Sequence, residues 1–202
     1  MLGPRVFSDD ALLARWAQGK QRAGDRLMRR HYPALQRFFE LKAPEAADDL
    51  TQNTMLGAVE AQQRYRGDAP FKSFLFGIAR RQLLLYLRSK QRHERMVTFR
   101  QAQGPDTVLT PSRCASLRQE QTAMLMGLTA LPVQLQMTIQ LYYWEGMKVH
   151  EVADVFRVPD STVKTRLVRA RELVRQRVER GPGASKAQSI MSDYDKWLRS
   201  LA

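Results

Sequence analysis

The sequence predicts an all-α protein made of two small helical domains joined by a flexible linker. Apolar residues recur at steps of three and four along most of the 202 residues, and no stretch alternates as a β-strand does. This period fails between residues 97 and 116, where Gly104-Pro105 and Thr110-Pro111-Ser112 are typical of a loop. The predicted units are a first domain over residues 8–96, a linker over 97–116, a second domain over 117–180 and a C-terminal extension over 181–202.

Each predicted helix has its own local signals. Ser8 is a favourable N-cap for the first helix, because its hydroxyl can accept from a free backbone N–H. The second helix runs from about residue 21 to 41, and Pro33 is expected to kink or divide it. The remaining helices are expected over about residues 46–63 and 71–94 in the first domain, and over 117–131, 132–145, 148–156 and 160–180 in the second.

The charge of the chain indicates its class of partner. Lys and Arg number 33 against 20 Asp and Glu, so the formal charge is +13 and the pI is near 10.5. Such a surface favours a polyanion, because bound Lys and Arg release counterions from phosphates. The alternative is a basic surface that only faces solvent. With 44% hydrophobic residues the chain can form a packed core, which excludes global disorder.

Several other classes of protein lack support in the sequence. No apolar run approaches the roughly 18 residues that span a bilayer, so no membrane insertion is expected. The N-terminus has no signal-peptide pattern, and the lone Cys114 fits a reducing cytoplasm. His31, His93 and His150 lie far apart, so no metal site is predicted, and no cofactor is expected. There is no Gly-rich phosphate loop and no nucleophile–base pair, so the chain is not expected to be an enzyme.

The strongest motif covers residues 148–167 and reads KVHEVADVFRVPDSTVKTRL. Two short helices that cross closely need a small residue at the contact, and Ala153 supplies it. The spacing of five apolar residues predicts a shared core: Val152, Phe156, Val158, Val163 and Leu167. The second helix starts after Pro159 and directs Lys164, Thr165 and Arg169 outward, as in a DNA-binding helix-turn-helix. Arg157 stands where many such turns have glycine; the alternative is a plain helical hairpin with a basic face.

The second domain resembles the last domain of bacterial sigma factors. The resemblance rests on a Leu131-Pro132 helix start, the apolar helix that ends before Gly146, and TVKTRLVRAR over residues 162–171. It implies that this domain reads the upstream promoter element. The residues that it implies for DNA binding are Lys164, Thr165, Val168 and Arg169, together with Arg166 and Arg171.

The first domain is similar to the sigma-factor domain that binds the polymerase clamp and opens the promoter. The matching segments are DLTQNTM over residues 49–55, YRGD over 65–68 and FKSFLFGIARR over 71–81. The resemblance implies that Asp49, Gln52 and Asn53 bind core polymerase. Asp49 and Gln52 are three residues apart and share a helix face, although Asp49 also fits a plain helix-start charge.

The same resemblance implies contacts with the downstream promoter element. The loop at residues 66–70 is expected to capture a base flipped out of the non-template strand. Phe71, Phe74 and Ile78 have the spacing of a buried stripe, so Tyr65 and Phe76 are the predicted exposed aromatics. Relatives usually have Asn at Arg81 and Asp at Leu85, so this chain departs from them there. The implied downstream DNA-binding residues are Tyr65, Arg66, Gly67, Asp68, Phe76, Arg80, Arg81 and Arg88.

Both domains in this order identify the chain as a member of the small extracytoplasmic-function, or group IV, sigma factors. The implied partners are promoter DNA, the clamp of the largest polymerase subunit and the flap of the second-largest, in the bacterial cytoplasm; an anti-sigma factor is left open. The main alternative is a helix-turn-helix regulator that never joins polymerase. A nucleic-acid enzyme and a protein that binds only proteins are further rivals, and the +13 charge argues against the last.

The C-terminal extension lies beyond the resemblance. Its apolar residues fall on one face of a short helix that Ser192 and Asp193 would start. These residues are Ile190, Tyr194, Trp197, Leu198 and Leu201. Since so short a helix is unstable alone in water, it is expected either to fray or to dock on the protein or on a partner.

Overall fold

A computed structural model of the chain describes residues 7–65, 67–98 and 126–180, together with residues 195, 198 and 199. Within these residues all regular structure is helical, which confirms the predicted all-α fold. The chain divides into two compact units, Met1–Arg92 and His93–Ala202. Residues 99–116 of the predicted linker lie outside the described residues, and the predicted domain boundaries stay a prediction.

The described part of the first unit is built from four α-helices, the last of which continues past Arg92, and two single 3₁₀ turns. The helices are α1 (Asp9–Ala17), α2 (Gln21–Glu40), α3 (Ala47–Ala61) and α4 (Phe71–Thr98), and the turns are Pro44–Ala46 and Gln62–Arg64. The Ser8 hydroxyl accepts a hydrogen bond of 3.2 Å from the Ala11 N–H, which confirms the predicted start of α1. α2 packs against both α1 and α3.

Pro33 does not divide α2, contrary to one of the two expected outcomes. The helix is continuous from Gln21 to Glu40. Proline deprives the Arg29 carbonyl of its helical partner, but Arg29 and Pro33 are both exposed, so water can take that place. Leu35 and Phe38, which follow the proline, are fully buried and hold the second half of the helix on the core.

The core of the first unit joins α2 to α4. The rings of Phe38 and Phe76 lie 5.4 Å apart in an edge-to-face arrangement, and both residues are 0% exposed. The prediction that Phe76 is an exposed aromatic is therefore wrong. The buried stripe of α4 runs through Phe71, Leu75, Ala79 and Leu83 at four-residue steps, and Phe76 borders it.

An ionic contact fastens α1 to α2. The Asp9 carboxylate lies 2.5 Å from Arg30 Nη1 and 2.6 Å from His31 Nε2. Burial lowers the pKa of His31, against the opposing effect of Asp9. Burial alone would raise the pKa of Asp9, but His31 and Arg30 outweigh it and hold this pKa below its ordinary value. The contact fixes the position of α1.

The second unit is built from short helices. Residues 126–129 are helical and correspond to the end of the helix predicted over 117–131, whose first part lies outside the described residues. α5 (Val133–Ile139) continues into a π-helical turn (Gln140–Trp144), where one regular helix was predicted. α6 (Val149–Phe156) and α7 (Asp160–Arg180) follow as predicted. No helix in the described ranges is both long and apolar enough to cross a membrane.

Candidate functional site

The turn between α6 and α7 is a Schellman motif closed by Arg157. Arg157 has φ 54° and ψ 53°, and it is the one non-glycine residue with positive φ in the described ranges. Its N–H donates to the Asp154 carbonyl at 3.2 Å, and the Val158 N–H donates to the Ala153 carbonyl at 3.1 Å. The start of α6 is held by Glu151, whose carboxylate accepts from the Lys148 N–H at 2.6 Å. Arg157 thus adopts the left-handed conformation for which many such turns use glycine.

A shared apolar core holds α6 and α7 at a fixed angle. Val152 and Val163 are 0% exposed, and Phe156 and Leu167 are also buried. Ala153 is buried as well, which agrees with the need for a small residue at the helix crossing. These contacts confirm the helical hairpin that was predicted from spacing, with Val158 half-buried at its edge.

The outward face of α7 presents four of the predicted DNA-binding residues together. Lys164, Thr165, Val168 and Arg169 are all exposed, and 64% of Val168 is accessible to solvent. Beside them lies an open groove of about 510 Å³ between the starts of α5 and α7. Its lining residues are Pro132, Gln134, Leu135, Ser161, Thr162, Thr165, Arg166 and Arg169. The face combines two positive charges, a hydroxyl and an apolar group, which suits phosphates and base edges.

The two other predicted residues of α7 are held by protein contacts. Arg166 is half-buried, and its guanidinium carbon lies 4.8 Å from the centre of the Phe156 ring, in a cation–π contact. Arg171 is half-buried against the π-helical turn, where its Nε donates to the Tyr143 hydroxyl at 2.8 Å. The structure therefore does not gather all six predicted residues on one open face.

The C-terminal extension contacts this unit through the residues that the structure describes. The Tyr143 hydroxyl donates to Asp195 Oδ1 at 2.7 Å, and Arg171 Nη2 lies 3.2 Å from the same carboxylate. Burial raises the pKa of Tyr143 to about 12; Asp195 adds to this rise, and Arg171 opposes it. Leu198 is 0% exposed, which supports the docking alternative for the extension. Ile190, Ser192, Asp193, Tyr194, Trp197 and Leu201 lie outside the described residues.

In the first unit, the loop before α4 forms one wall of a pocket of about 530 Å³. Gly67 and Asp68 are exposed at its rim, and Arg66 lies outside the described residues. The lining residues are Asp10, Leu13, Ala14, Ala17, Gln62, Tyr65, Gly67, Asp68, Ala69 and Pro70. Most of this lining is apolar or small, and polar groups lie at its edge, which suits a flat, partly polar ligand.

Tyr65 and Phe74 form the aromatic pair beside this pocket. Their ring centres lie 4.8 Å apart, and both residues are half-buried. The Tyr65 hydroxyl donates to the Ala69 carbonyl and so braces the loop. Burial, with the nearby charges of Asp10 and Asp68, raises the pKa of Tyr65. Phe74, which was predicted to belong to the buried stripe, takes the half-exposed place that was expected for Phe76.

The basic side chains of α4 have unequal access to solvent. Arg81 and Arg88 are exposed, whereas Arg80 is half-buried. Leu85 is 50% exposed. Positions 81, 85 and 88 share one helix face, so Leu85 lies between the two exposed arginines. This face therefore combines two charges with an apolar side chain.

The polar face predicted on α3 is open to solvent. Asp49, Gln52 and Asn53 are all exposed. Leu56 and Val59, one and two turns further along, are 58% and 49% exposed. Exposed apolar groups beside a polar cluster are typical of a protein interface. Sequence reasoning missed both, although their spacing from Gln52 already places them on this face.

Sequence reasoning also missed three other residues. Leu13 and Ala14 of α1 line the pocket beside the loop, and no sequence signal brings α1 to that loop. Asp195 pairs with Arg171 across more than twenty residues, which periodicity does not reveal. These residues became visible only from the packing.

Family descriptions match both units. That of sigma-70 region 2 matches residues 26–93, and that of sigma-70 region 4 matches residues 121–174. SigM of Mycobacterium tuberculosis, an ECF RNA polymerase sigma factor, is 31% identical over 171 residues, covering 84% of each chain. The ECF sigma-E factor of Escherichia coli K12 is 24% identical over 182 residues, covering 86% of this chain and 95% of that protein.

Two solved structures share the fold. CnrH in complex with the cytosolic domain of CnrY has a TM-score of 0.66 at 24% identity, covering 86% of this chain and 99% of that one. The sigma factor RpoE in complex with the anti-sigma factor NepR, from Bartonella quintana, has a TM-score of 0.61 at 23% identity. That likeness covers 73% of this chain and 91% of the other.

An exposed helix-turn-helix face in one unit and a region 2 fold in the other define a sigma-70-type transcription initiation factor. The match to SigM, at 31% identity over 84% of each chain, identifies the subgroup of these factors. The chain belongs to the ECF RNA polymerase sigma factors, which direct core polymerase to promoters. The family consists of initiation factors rather than enzymes, and the regulator that never joins polymerase is not favoured.

Proposed function

We propose that the exposed face of α7 reads the upstream promoter element for this sigma factor. The observation that supports it is the shared exposure of Lys164, Thr165, Val168 and Arg169 on a helix whose opposite side is buried. Lysine and arginine would bind phosphates or guanine edges, and Val168 would contact a thymine methyl group. Thr165 lies at the rim of the groove, and its hydroxyl, which donates to the Ser161 carbonyl at 2.9 Å, is left to accept from a base amino group.

The test uses Lys164→Ala and Arg169→Ala in the full chain, bound to a duplex that carries the upstream element. Each variant is expected to weaken binding and to reduce the slope of log affinity against log salt by about one. Binding to core polymerase should not change. Arg177→Ala is the matched control, because Arg177 is exposed on the same helix but turned away from this face. Unchanged DNA affinity in both test variants would reject the assignment.

The exposed face of α3 is proposed to dock on the clamp of the largest polymerase subunit. Asp49, Gln52 and Asn53 supply polar contacts, and Leu56 and Val59 supply apolar area that is open in the free protein. An apolar centre beside polar groups matches the composition of protein interfaces. A contact of the second domain with the flap of the second-largest subunit stays a proposal from the family resemblance.

Competition for core polymerase against the unmodified chain tests this face. The double variant Asp49→Ala, Gln52→Ala and the single variant Leu56→Ser are each expected to compete poorly. All three side chains are exposed, so the free energy of unfolding should change by less than about 0.5 kcal/mol per substitution. Arg22→Ala, exposed on α2, is the control. If both test variants compete normally, the clamp does not bind here.

The pocket beside the loop is proposed to hold one base flipped from the non-template strand. Its volume of about 530 Å³, its apolar wall on α1 and the polar rim at Asp68 support this role. Arg81 and Arg88, with Arg80 and Arg66, would hold the phosphates of the opened strand. Leu85 adds an apolar contact on the same helix face.

Filling the pocket separates opening from binding. Ala14→Trp places a large side chain in the pocket, so promoter opening, followed by 2-aminopurine fluorescence at the flipped position, should fall. Affinity for the closed duplex should remain. Lys20→Trp, exposed just before α2 and outside the pocket lining, is the control. Normal opening by the filled variant would show that the base binds elsewhere.

Three further proposals complete the function. Because bacterial promoters lie in the cytoplasm, we expect the protein to act there. An anti-sigma factor is a proposed partner, since the structural neighbour RpoE is bound to one. We propose no enzymatic activity for the chain itself. The sigma-factor function as a whole is tested by whether the chain forms a stable complex with core polymerase and supports promoter-dependent run-off transcription.

A further inference from the structure

The contact between the C-terminal extension and α7 involves a residue of the basic helix. Asp195 lies 3.2 Å from Arg171 Nη2 and accepts from the Tyr143 hydroxyl at 2.7 Å. Arg171 also donates to Tyr143 through Nε at 2.8 Å. Leu198, three residues after Asp195, is fully buried. We call these four residues the C-terminal contact.

Arg171 lies in line with the exposed DNA-binding face. It follows Lys164 by seven residues, so the two side chains leave α7 on nearly the same side, about 10.5 Å apart along the axis. A DNA backbone that contacts Lys164 can therefore continue past Arg171. In the free protein, the Asp195 carboxylate lies at Arg171 where a phosphate of the DNA would bind. Like a phosphate, the carboxylate is negatively charged and accepts hydrogen bonds through its oxygens.

The ion pair is accessible enough to be exchanged. The Arg171 and Asp195 side chains are 38% and 56% exposed. Exposed ion pairs contribute little to stability, because water and salt screen them. Asp195 and a phosphate therefore compete for Arg171, and in the free protein the carboxylate has the advantage, because the extension that carries it is held by the buried Leu198.

We propose that Asp195 is an intramolecular competitor of DNA at Arg171, so that the C-terminal extension weakens binding of the upstream element by the free protein. This inference rests on the proposed DNA-binding role of α7. The extension occupies a phosphate-binding arginine until promoter DNA, concentrated near the protein by polymerase binding, replaces the carboxylate. The contact thus favours promoters that are engaged by the complete holoenzyme over DNA encountered by the free sigma factor.

The experiment measures affinity of the full chain for an upstream-element duplex across salt concentrations. Asp195→Asn keeps the size of the side chain and its hydrogen bond with Tyr143 but removes the charge. Binding should tighten, and the salt slope should grow by about 0.9, because one more phosphate is contacted. Raising the fourfold change in salt concentration to the power of about 0.9 gives about 3.5. The ratio of the affinity at 50 mM salt to the affinity at 200 mM salt should therefore be about 3.5-fold larger for the variant than for the unmodified chain.

A second variant makes the result specific to Arg171. In the Arg171→Ala background, Asp195→Asn should have no effect on affinity or slope. Equal tightening in both backgrounds would overturn the proposal, because it would reflect only the change in net charge. Unchanged or weaker binding by Asp195→Asn would also overturn it and leave the contact a purely structural one.

The outcome for Lys164→Ala separates this inference from the proposed function. If that variant reduces the salt slope and Asp195→Asn does not increase it, α7 binds DNA and only the competition is refuted. If Lys164→Ala leaves the slope unchanged, the DNA-binding face itself is wrong. Melting temperatures of all variants check that the second unit stays folded.

Discussion

Replacing Arg157 by glycine should stabilise the second unit without changing the proposed DNA-binding face of α7. Arg157 has φ 54° and ψ 53°, and its N–H is already used in the turn. A left-handed conformation costs an L-residue roughly 1–2 kcal/mol, and glycine adopts it freely. Against this gain, glycine loses about 0.5–1 kcal/mol more backbone entropy on folding. The net increase in the free energy of unfolding is therefore expected to be about 0.5–1 kcal/mol.

Thermal and urea unfolding of the full chain, followed by a probe in the second unit, measure this change. For a domain of this size, 1 kcal/mol raises Tm by about 4–8 °C. Arg157→Ala is the matched control: it removes the guanidinium but keeps the strained backbone, so it should give no comparable gain. If the alanine and glycine variants unfold alike, the strain argument is refuted, and any shared effect belongs to the lost charge.

Three further outcomes follow from burial and charge. Phe76→Ala should lower the free energy of unfolding by about 3–5 kcal/mol, because Phe76 is fully buried; Phe74→Ala should cost less, and an equal cost in urea unfolding would contradict the assignment. The Glu45 carboxylate has a pKa lowered to about 2, chiefly by the Lys90 hydrogen bond, so its contribution is present above about pH 4.5 and is lost as pH falls towards 2. Since that side chain is half exposed, Glu45→Gln should lower the free energy of unfolding by at most about 1 kcal/mol at pH 6 and by little near pH 2. An equal loss at both pH values would refute the pKa assignment. Deleting residues 186–202 should lower the melting temperature, because Leu198 is buried, and an unchanged Tm would show that the extension adds no stability.

Local periodicity was enough to predict the elements of the fold and the helix-turn-helix. Val152, Val163 and Leu167 are buried where their spacing predicted, because a helix of 3.6 residues per turn places them on one side. The start of α1 at Ser8 needed only the capping chemistry of its own side chain. The departure at Arg157 was visible in the sequence, since the turn demands a conformation that glycine prefers.

The limits of periodicity appear in α4. Phe74 and Phe76 are two residues apart, and the sequence pattern allowed either of them to face the core. Packing against Phe38 decided for Phe76, because the buried stripe of α4 is wide enough to include it. Phe74 was left beside Tyr65, where the pair borders the proposed base pocket. The aromatic neighbour of that pocket was therefore decided by tertiary contacts.

The sequence by itself determined the two all-helical units, the basic charge and the family motifs, since these depend on residues close together in the chain. Tertiary structure alone decided which basic side chains stay accessible to solvent. Lys164 and Arg171 lie seven residues apart on one helix, yet Lys164 is exposed and Arg171 is half-buried against Tyr143 and Asp195. The physical reason is that a side chain's access to solvent depends on every segment that packs against it, including segments remote in sequence.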